Sequence, residues 1–455
     1  MDALTSLRYN QAVQIRKFLK SNWPIIIILI IAAILRFWRL EALTTFGGDQ
    51  GYDLENIRPI LKGNLTLLGP RIGPYNGLST LYLGPFYYYL LAPFIWLTKL
   101  DPIGASYATV LARLVTIFLI YLVTKKIFSV NAAIISGVIA TLSPYWVNYL
   151  GFPSNPYFIL PITSLIIFLL TVKKKNSPII FAIFGLLTGF AFHLHYLGLI
   201  ILPAFLIYLL NNRELLKMRY ILSLLLGIAF AISPIILFES RNDFFLTSQF
   251  LKQLNTTPFN LTIVNFIEKL ILSVRFMSID TIGFSSLILI FSVMFILIIF
   301  KIMKQASAEQ KIIINFLVSI LVINVVFASL YSGQLMPHYL AVSYPSIFIL
   351  AGVVIYFTKK INKAFPLLIL IIISIFLFQK NDFFSSSGYT MPEDLTLKEI
   401  RNISQIIASD IQNESFNITS TLDGDSRAMT YRYLTSIYGK KPEGMSITTI
   451  LKTSM

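Results

Sequence analysis

The chain has 455 residues, 56% of them hydrophobic and only 13% charged, against the roughly 25% charged residues of an ordinary soluble domain, which marks a membrane protein. Its net charge of +16 arises from 37 basic and 21 acidic residues, but the basic ones sit in short clusters between apolar runs, so nucleic acid is not an expected partner. The absence of cysteine removes disulfides, thiolate metal sites and cysteine nucleophiles.

The first apolar run, 24–40, follows a polar, basic segment and lacks a small-residue cleavage site after it, so it reads as an uncleaved anchor. Further stretches of about 17–20 apolar residues suit the roughly 30 Å hydrocarbon core, and the candidate spans after the first are 105–124, 129–147, 157–172, 178–193, 196–210, 219–238, 282–301, 311–330, 340–358 and 363–379. The stretch 80–98 is apolar too, yet Gly84, Pro85, Pro93 and its aromatic content suit a re-entrant or interfacial element. If it does not cross, Arg8, Arg16, Lys17 and Lys20 share one side with five later clusters: Lys125–Lys126, Lys173–Lys175, Arg213/Lys217/Arg219, Lys301/Lys304/Lys311 and Lys359/Lys360/Lys363. The opposing short loops 148–156, 194–195 and 331–339 carry no Lys or Arg. The positive-inside rule then predicts a multi-pass plasma-membrane protein with a cytoplasmic N-terminus, about eleven transmembrane helices and an exterior C-terminus.

That assignment leaves only Asp2, Glu214 and Glu309 among the acids on the cytoplasmic side and none inside a span. Ion-coupled carriers usually hold an ionisable group at mid-membrane, so a transporter is disfavoured. The fold class is therefore an all-α polytopic membrane protein. Its membrane domain covers 1–379, with a first exterior loop over 41–104 and a second exterior region over 239–281, and a small exterior domain covers 380–455. In that tail LTLKEIRNISQIIASDI predicts an amphipathic helix and FNITSTL a strand, giving an α/β or helical extension. So short a segment holds only a modest core and is expected to rest on the membrane domain or on 41–104.

Four exterior positions carry polar side chains suited to chemistry. In TTFGGDQGYDLE, Asp49 follows two glycines and suits the N-cap of a helix over about 50–58, with Asp53 one turn on and Pro59 ending or kinking it. Capping alone accounts for Asp49, and spacing does not make it catalytic. In GFPSNPYFILP, Asn155 before Pro156 is a helix-start signal. In FHLHYLG, His193 and His195 lie two apart and point to opposite faces of a helix, so they cannot jointly chelate a metal. In MPHYLAVSYP, His338 caps a span or meets an anionic head group. With three histidines in all, a His-rich metal site is disfavoured.

In order, Arg36-Phe37, GGDQGYD, LGPFYYYLLAPF, the span from Arg113 to KKIF, TLSPYWVNYLGFPSNPYFILP, FHLHYLG, FESRNDF and HYLAVSYP resemble the integral-membrane C-type glycosyltransferases. The similarity is to the branch of protein O-mannosyltransferases and the lipid A aminoarabinose transferase, and it covers about residues 24–360. The resemblance implies transfer of a sugar, with inversion, from a polyprenyl-phosphate donor to a protein, lipid or glycan acceptor outside the cytoplasm, with Asp49 as the base. The candidate substrate-binding residues are Asp53, Glu55, Arg58, Arg71, Tyr88, Asn155, His195, Arg241, His338 and Tyr339, with Arg71, Arg241 and His338, and next Arg58, as the cations or donors expected to hold the phosphate. Two departures matter: Gln50 stands where many relatives have Glu, and Asn155 where some have Asp. Losing the carboxylate at Asn155 leaves a divalent metal open but disfavoured, and no other cofactor is implied. The rival readings are a lipid-linked-glycan transporter or flippase, a non-catalytic lipid-binding relative, and an enzyme using a pyrophosphate-linked donor.

Overall fold

The structure is a computed structural model that describes residues 22–443 except 73–80, 148, 150, 173–175, 257–261, 284–287, 332, 382, 412–414 and 423–424. The N-terminal basic cluster and Lys173–Lys175 lie outside the described residues. Helix α1 (Asn22–Phe37) is followed by α2 (Gly48–Leu61), then by a ribbon of β1 (Arg71–Ile72) and β2 (Leu81–Tyr82), antiparallel with Arg71 opposite Tyr82. Helix α3 (Phe86–Leu97) comes next; its 12 residues rise only about 18 Å, short of the roughly 30 Å hydrocarbon core. The helices α4 (Ile103–Ile127), α5 (Val130–Leu142), α6 (Asn155–Leu170), α7 (Pro178–Leu194), α8 (Tyr196–Leu210) and α9 (Met218–Arg241) follow. The segment 239–281, for which the sequence predicts no elements, contains α10 (Phe245–Thr256) and most of α11 (Ile263–Ile282). The chain continues through α12 (Ile288–Gln305), α13 (Ala308–Ser329), α14 (Pro337–Lys360) and α15 (Phe365–Lys380), and the tail adds α16 (Leu397–Asp410) and α17 (Met429–Ile437). By length and composition α4, α9, α13 and α14 suffice to cross a membrane, and the remaining apolar helices are shorter.

Two local expectations change. The expected span 129–147 breaks where Ser143 leaves the helix, and Pro144–Val147 forms a separate turn, because Pro144 has no N–H to continue the ladder. FNITSTL is not a strand: no residue of it pairs in a sheet. The expected tail helix is present, and its start is set by Thr396, whose hydroxyl accepts the Glu399 N–H.

Close packing comes from small residues. Between α7 and α9, a Cβ on Gly185 would lie 2.0 Å from the Leu224 carbonyl oxygen, and one on Gly227 would lie 2.1 Å from that of Ala182. Helices without a hydrophobic drive between them gain from such backbone approach. Two arginines buried in the spans then hold the broken end of α5. Arg36 donates to the carbonyls of Ala32 and Thr141, and Arg113 to those of Trp146 (2.7 Å) and Tyr149 (2.5 Å). Hydrogen bonds from the terminal nitrogens to backbone carbonyls offset part of the cost of burying these guanidinium groups. The held segment reaches Gly151, which bridges Thr44, and the Gly151 carbonyl accepts the Thr45 N–H at 2.9 Å. So the exit of α1 is fixed to the entrance of α6, and α2 starts from that junction.

Candidate active site

Helix α2 opens at GGDQG. Its N-cap is Gly47, so Asp49 is not the capping residue that the spacing suggested. The cap is closed instead by Gln50, whose Oε1 accepts the Gly47 N–H at 3.1 Å while its Nε2 donates to the Pro153 carbonyl at 3.2 Å. Gln50 thus serves as a bracket between α2 and the 151–156 loop. Asp49 is left in the first turn, 70% exposed, where the positive end of the helix favours a carboxylate. The helix also runs past Pro59 to Leu61.

One turn beyond Asp49, Asp53 is buried and accepts a hydrogen bond from the Tyr88 hydroxyl of α3 at 3.0 Å. Burial, and then the charge of Asp49, push the Asp53 carboxyl well above the usual carboxylate range, with the Tyr88 hydroxyl acting the other way. The neighbouring Tyr52 is pushed up to about 12, chiefly by burial, with Arg71 opposing. Arg71 lies on β1 opposite Tyr82, whose carbonyl accepts the Tyr196 hydroxyl at 2.9 Å. The 41–104 segment is thereby tied to the junction of α7 and α8.

At that junction a second group forms. The Asn155 amide does not cap a helix but donates to the Leu194 carbonyl at 2.5 Å. The next residue, His195, caps the turn that opens α8 by accepting the Leu197 N–H on Nδ1 at 3.2 Å. Its ring lies 5.9 Å from that of His338 and 5.3 Å from that of Tyr339. Burial, and then His338, pull the His195 pKa down to about 3, so its imidazole is neutral at pH 7. His193 is buried behind it, its ring against Gly84.

The remaining candidates lie elsewhere. Glu55 and Arg58 pair at 2.9 Å and face the tail: Arg58 also donates to the Ser436 hydroxyl and lies over the Tyr433 ring at 5.9 Å. Arg241 is exposed in the last turn of α9. Beside it the Glu239 carboxylate accepts the N–H groups of Leu246 and Thr247, closing a turn in which Asp243 and Phe244 are both left-handed (φ +48° and +55°). The structure therefore links Asp53, Tyr88, Arg71, Asn155, His195, His338 and Tyr339 through the 151–156 loop and the β1–β2 ribbon. Glu55 and Arg58 belong to the contact between α2 and α17.

Two features were not read from the sequence. Asp280, at the end of α11, is buried against the Tyr344 hydroxyl, and its carbonyl accepts the Ser143 hydroxyl. Tyr145 stacks on Tyr344 at 4.1 Å, and burial pushes the Asp280 carboxyl up to about 7. An acid three residues before Gly283 at the end of an apolar helix was the available signal. The other is Arg427 of the tail, which lies 4.0 Å from Asp49 and 2.7 Å from Asp425. Among the described residues no group of three or more His, Asp and Glu is placed to hold a metal.

The array of apolar helices, with the helix that bears the exposed Asp49 after the first of them and the short aromatic helix Phe86–Leu97, has the fold of the solved structure of ArnT. Residues 83–238, about a third of the chain, match the family model for dolichyl-phosphate-mannose-protein mannosyltransferase. ArnT from Cupriavidus metallidurans, solved bound to undecaprenyl phosphate, superposes with a TM-score of 0.62 at 14% identity, over 95% of this chain and 91% of that one. The oligosaccharyltransferase AglB from Archaeoglobus fulgidus, solved with an inhibitory peptide and a dolichol-phosphate, gives 0.53 at 13% identity over 93% of this chain and 64% of AglB. No curated protein sequence matches the chain.

Proposed function

We propose that the protein transfers a sugar from a polyprenyl-phosphate carrier to an acceptor hydroxyl at the exterior face, with inversion and with Asp49 as general base. The observation that carries this reading is the division of two carboxylates on one helix. Asp53 is buried and pushed toward its neutral form, while Asp49, one turn away, stands exposed at the helix start. Environments that separate neighbouring acids assign them different roles. The acceptor oxygen attacks the anomeric carbon and forms the new glycosidic bond as the bond from that carbon to the phosphate oxygen breaks. The acceptor proton passes to Asp49, and polyprenyl phosphate leaves. Arg71 is the cation we assign to the leaving phosphate, and His195, His338 and Tyr339 line the approach. His195, neutral at pH 7, contributes hydrogen bonding there rather than charge.

The resemblance of the fold to ArnT, solved with undecaprenyl phosphate, favours a lipid-phosphate donor, and an exterior C-terminal domain agrees with the charge distribution of the loops. The test is transfer of label from a polyprenyl-phosphate sugar in proteoliposomes. Asp49→Asn, folded and inserted as wild type, is expected to lose about two to four orders of magnitude in kcat. Near-wild-type transfer by that variant would remove Asp49 from the base role, and flux of the lipid without transfer by the wild type would favour the flippase reading.

A further inference from the structure

The tail meets α2 where Asp49 sits. A Cβ on Gly48 would lie 2.2 Å from the Asp425 carboxylate, and one on Gly51 would lie 2.6 Å from the Met429 backbone, so both glycines exist in close contact with the tail. The Thr430 hydroxyl donates to the Phe46 carbonyl at 3.4 Å, and the Tyr433 hydroxyl to that of Leu100 at 2.7 Å. Within this contact Arg427 is held from three directions. Its Nε donates to Asp425 Oδ1 at 2.7 Å, its carbonyl accepts Arg432 Nε at 2.7 Å, and the next residue, buried Ala428, is left-handed (φ +53°). A left-handed non-glycine residue is strained and persists where its surroundings over-determine it. Asp425 supplies that support: its carbonyl accepts the Ala428 N–H at 2.8 Å, and its Oδ2 accepts the Met429 N–H at 3.2 Å. The result is a fixed guanidinium whose Nη2 lies 4.0 Å from Asp49 Oδ1.

We infer that Arg427 is a positioning residue for Asp49, presented by the docked tail, which makes the C-terminal segment a structural part of the active site. A solvent-facing Asp samples several rotamers, and a base must hold one oxygen toward the acceptor hydroxyl when the proton moves. The guanidinium stands 4.0 Å from one carboxylate oxygen, close enough to attract it electrostatically, and leaves the other to take the proton. This inference rests on the assignment of Asp49 as base.

The test uses the full-length protein in proteoliposomes, with R427A, R427Q and R427K measured beside D49N for kcat, for the KM of donor and acceptor, and for thermal stability in detergent. R427Q keeps much of the side-chain length and remains measurable if R427A does not fold. The expectation is a fall in kcat of about one order of magnitude in R427A and R427Q with both KM values unchanged, and substantial recovery in R427K. A folded neutral variant with wild-type kcat overturns the inference, and so does a rise in donor KM at constant kcat, which would place Arg427 on the phosphate. If D49N keeps transfer, the base assignment itself fails. If D49N is inactive while R427A and R427Q turn over as wild type, only the role of Arg427 falls.

Discussion

Asp280 shows how one side chain couples burial to pH. Its carboxyl has 7% relative exposure, bound to Tyr344, and burial raises its pKa to about 7. A raised folded-state pKa means that the native protein holds this proton more tightly than the unfolded chain. The associated stability is complete below the unfolded value near 4 and is lost as pH rises through about 7. Asp280→Asn keeps a neutral group that accepts from Tyr344, so the difference in thermal midpoint between variant and wild type should move in favour of the variant from pH 5 to pH 8. A constant difference across that range would mean that Asp280 is not buried as described. At the same scale Gln50 was legible as a departure from the family pattern but not for what it does. Its amide bonds to Gly47, three residues back, and to Pro153, 103 residues away, and only the first of these partners has a sequence signature.

Among the elements, the apolar helices were readable because a run of 17 or more apolar residues has few alternatives in lipid, where backbone groups must pair within the segment. The helices of 239–281 were harder. Both α10 and α11 alternate apolar and polar residues, and no span-length run marks them. Helix α17 was not read at all, since MTYRYLTSI is short and its buried face, with Tyr433 and Leu434, is defined by α2 rather than by local periodicity. Likewise GGDQG reads as a helix start, and the need for glycine at 48 and 51 comes from a partner more than 370 residues away. Gly51→Val tests that contact. Its side chain would press on the Met429 and Thr430 backbone, and overpacking of this kind costs about 1–3 kcal/mol. The expected outcome is a lower thermal midpoint with faster proteolysis of the tail after Arg432 or Lys440. An unchanged cleavage rate would mean that α17 does not seat on α2.

For the whole molecule, the charge clusters predict sidedness, and the chain is convenient for measuring it because it contains no cysteine. Asn362 and Glu393 are exposed and flank α15. In intact cells a membrane-impermeant maleimide is expected to label the Glu393→Cys protein and to spare Asn362→Cys, which reacts only after permeabilisation. The reverse pattern would invert the topology and place Asp49 with the cytoplasmic loops.

The Thr430–Phe46 hydrogen bond joins residues 384 positions apart. At ribosomal rates of about 5–20 residues per second, roughly 20–80 s separate the emergence of Phe46 from that of Thr430. During that interval α2 waits without its Gly51 contact or the Arg427 guanidinium. Biogenesis thus has a built-in order, in which the apolar helices are made before Asp49 acquires its last neighbour, and a chain stopped before Arg427 carries Asp49 but not the group that faces it.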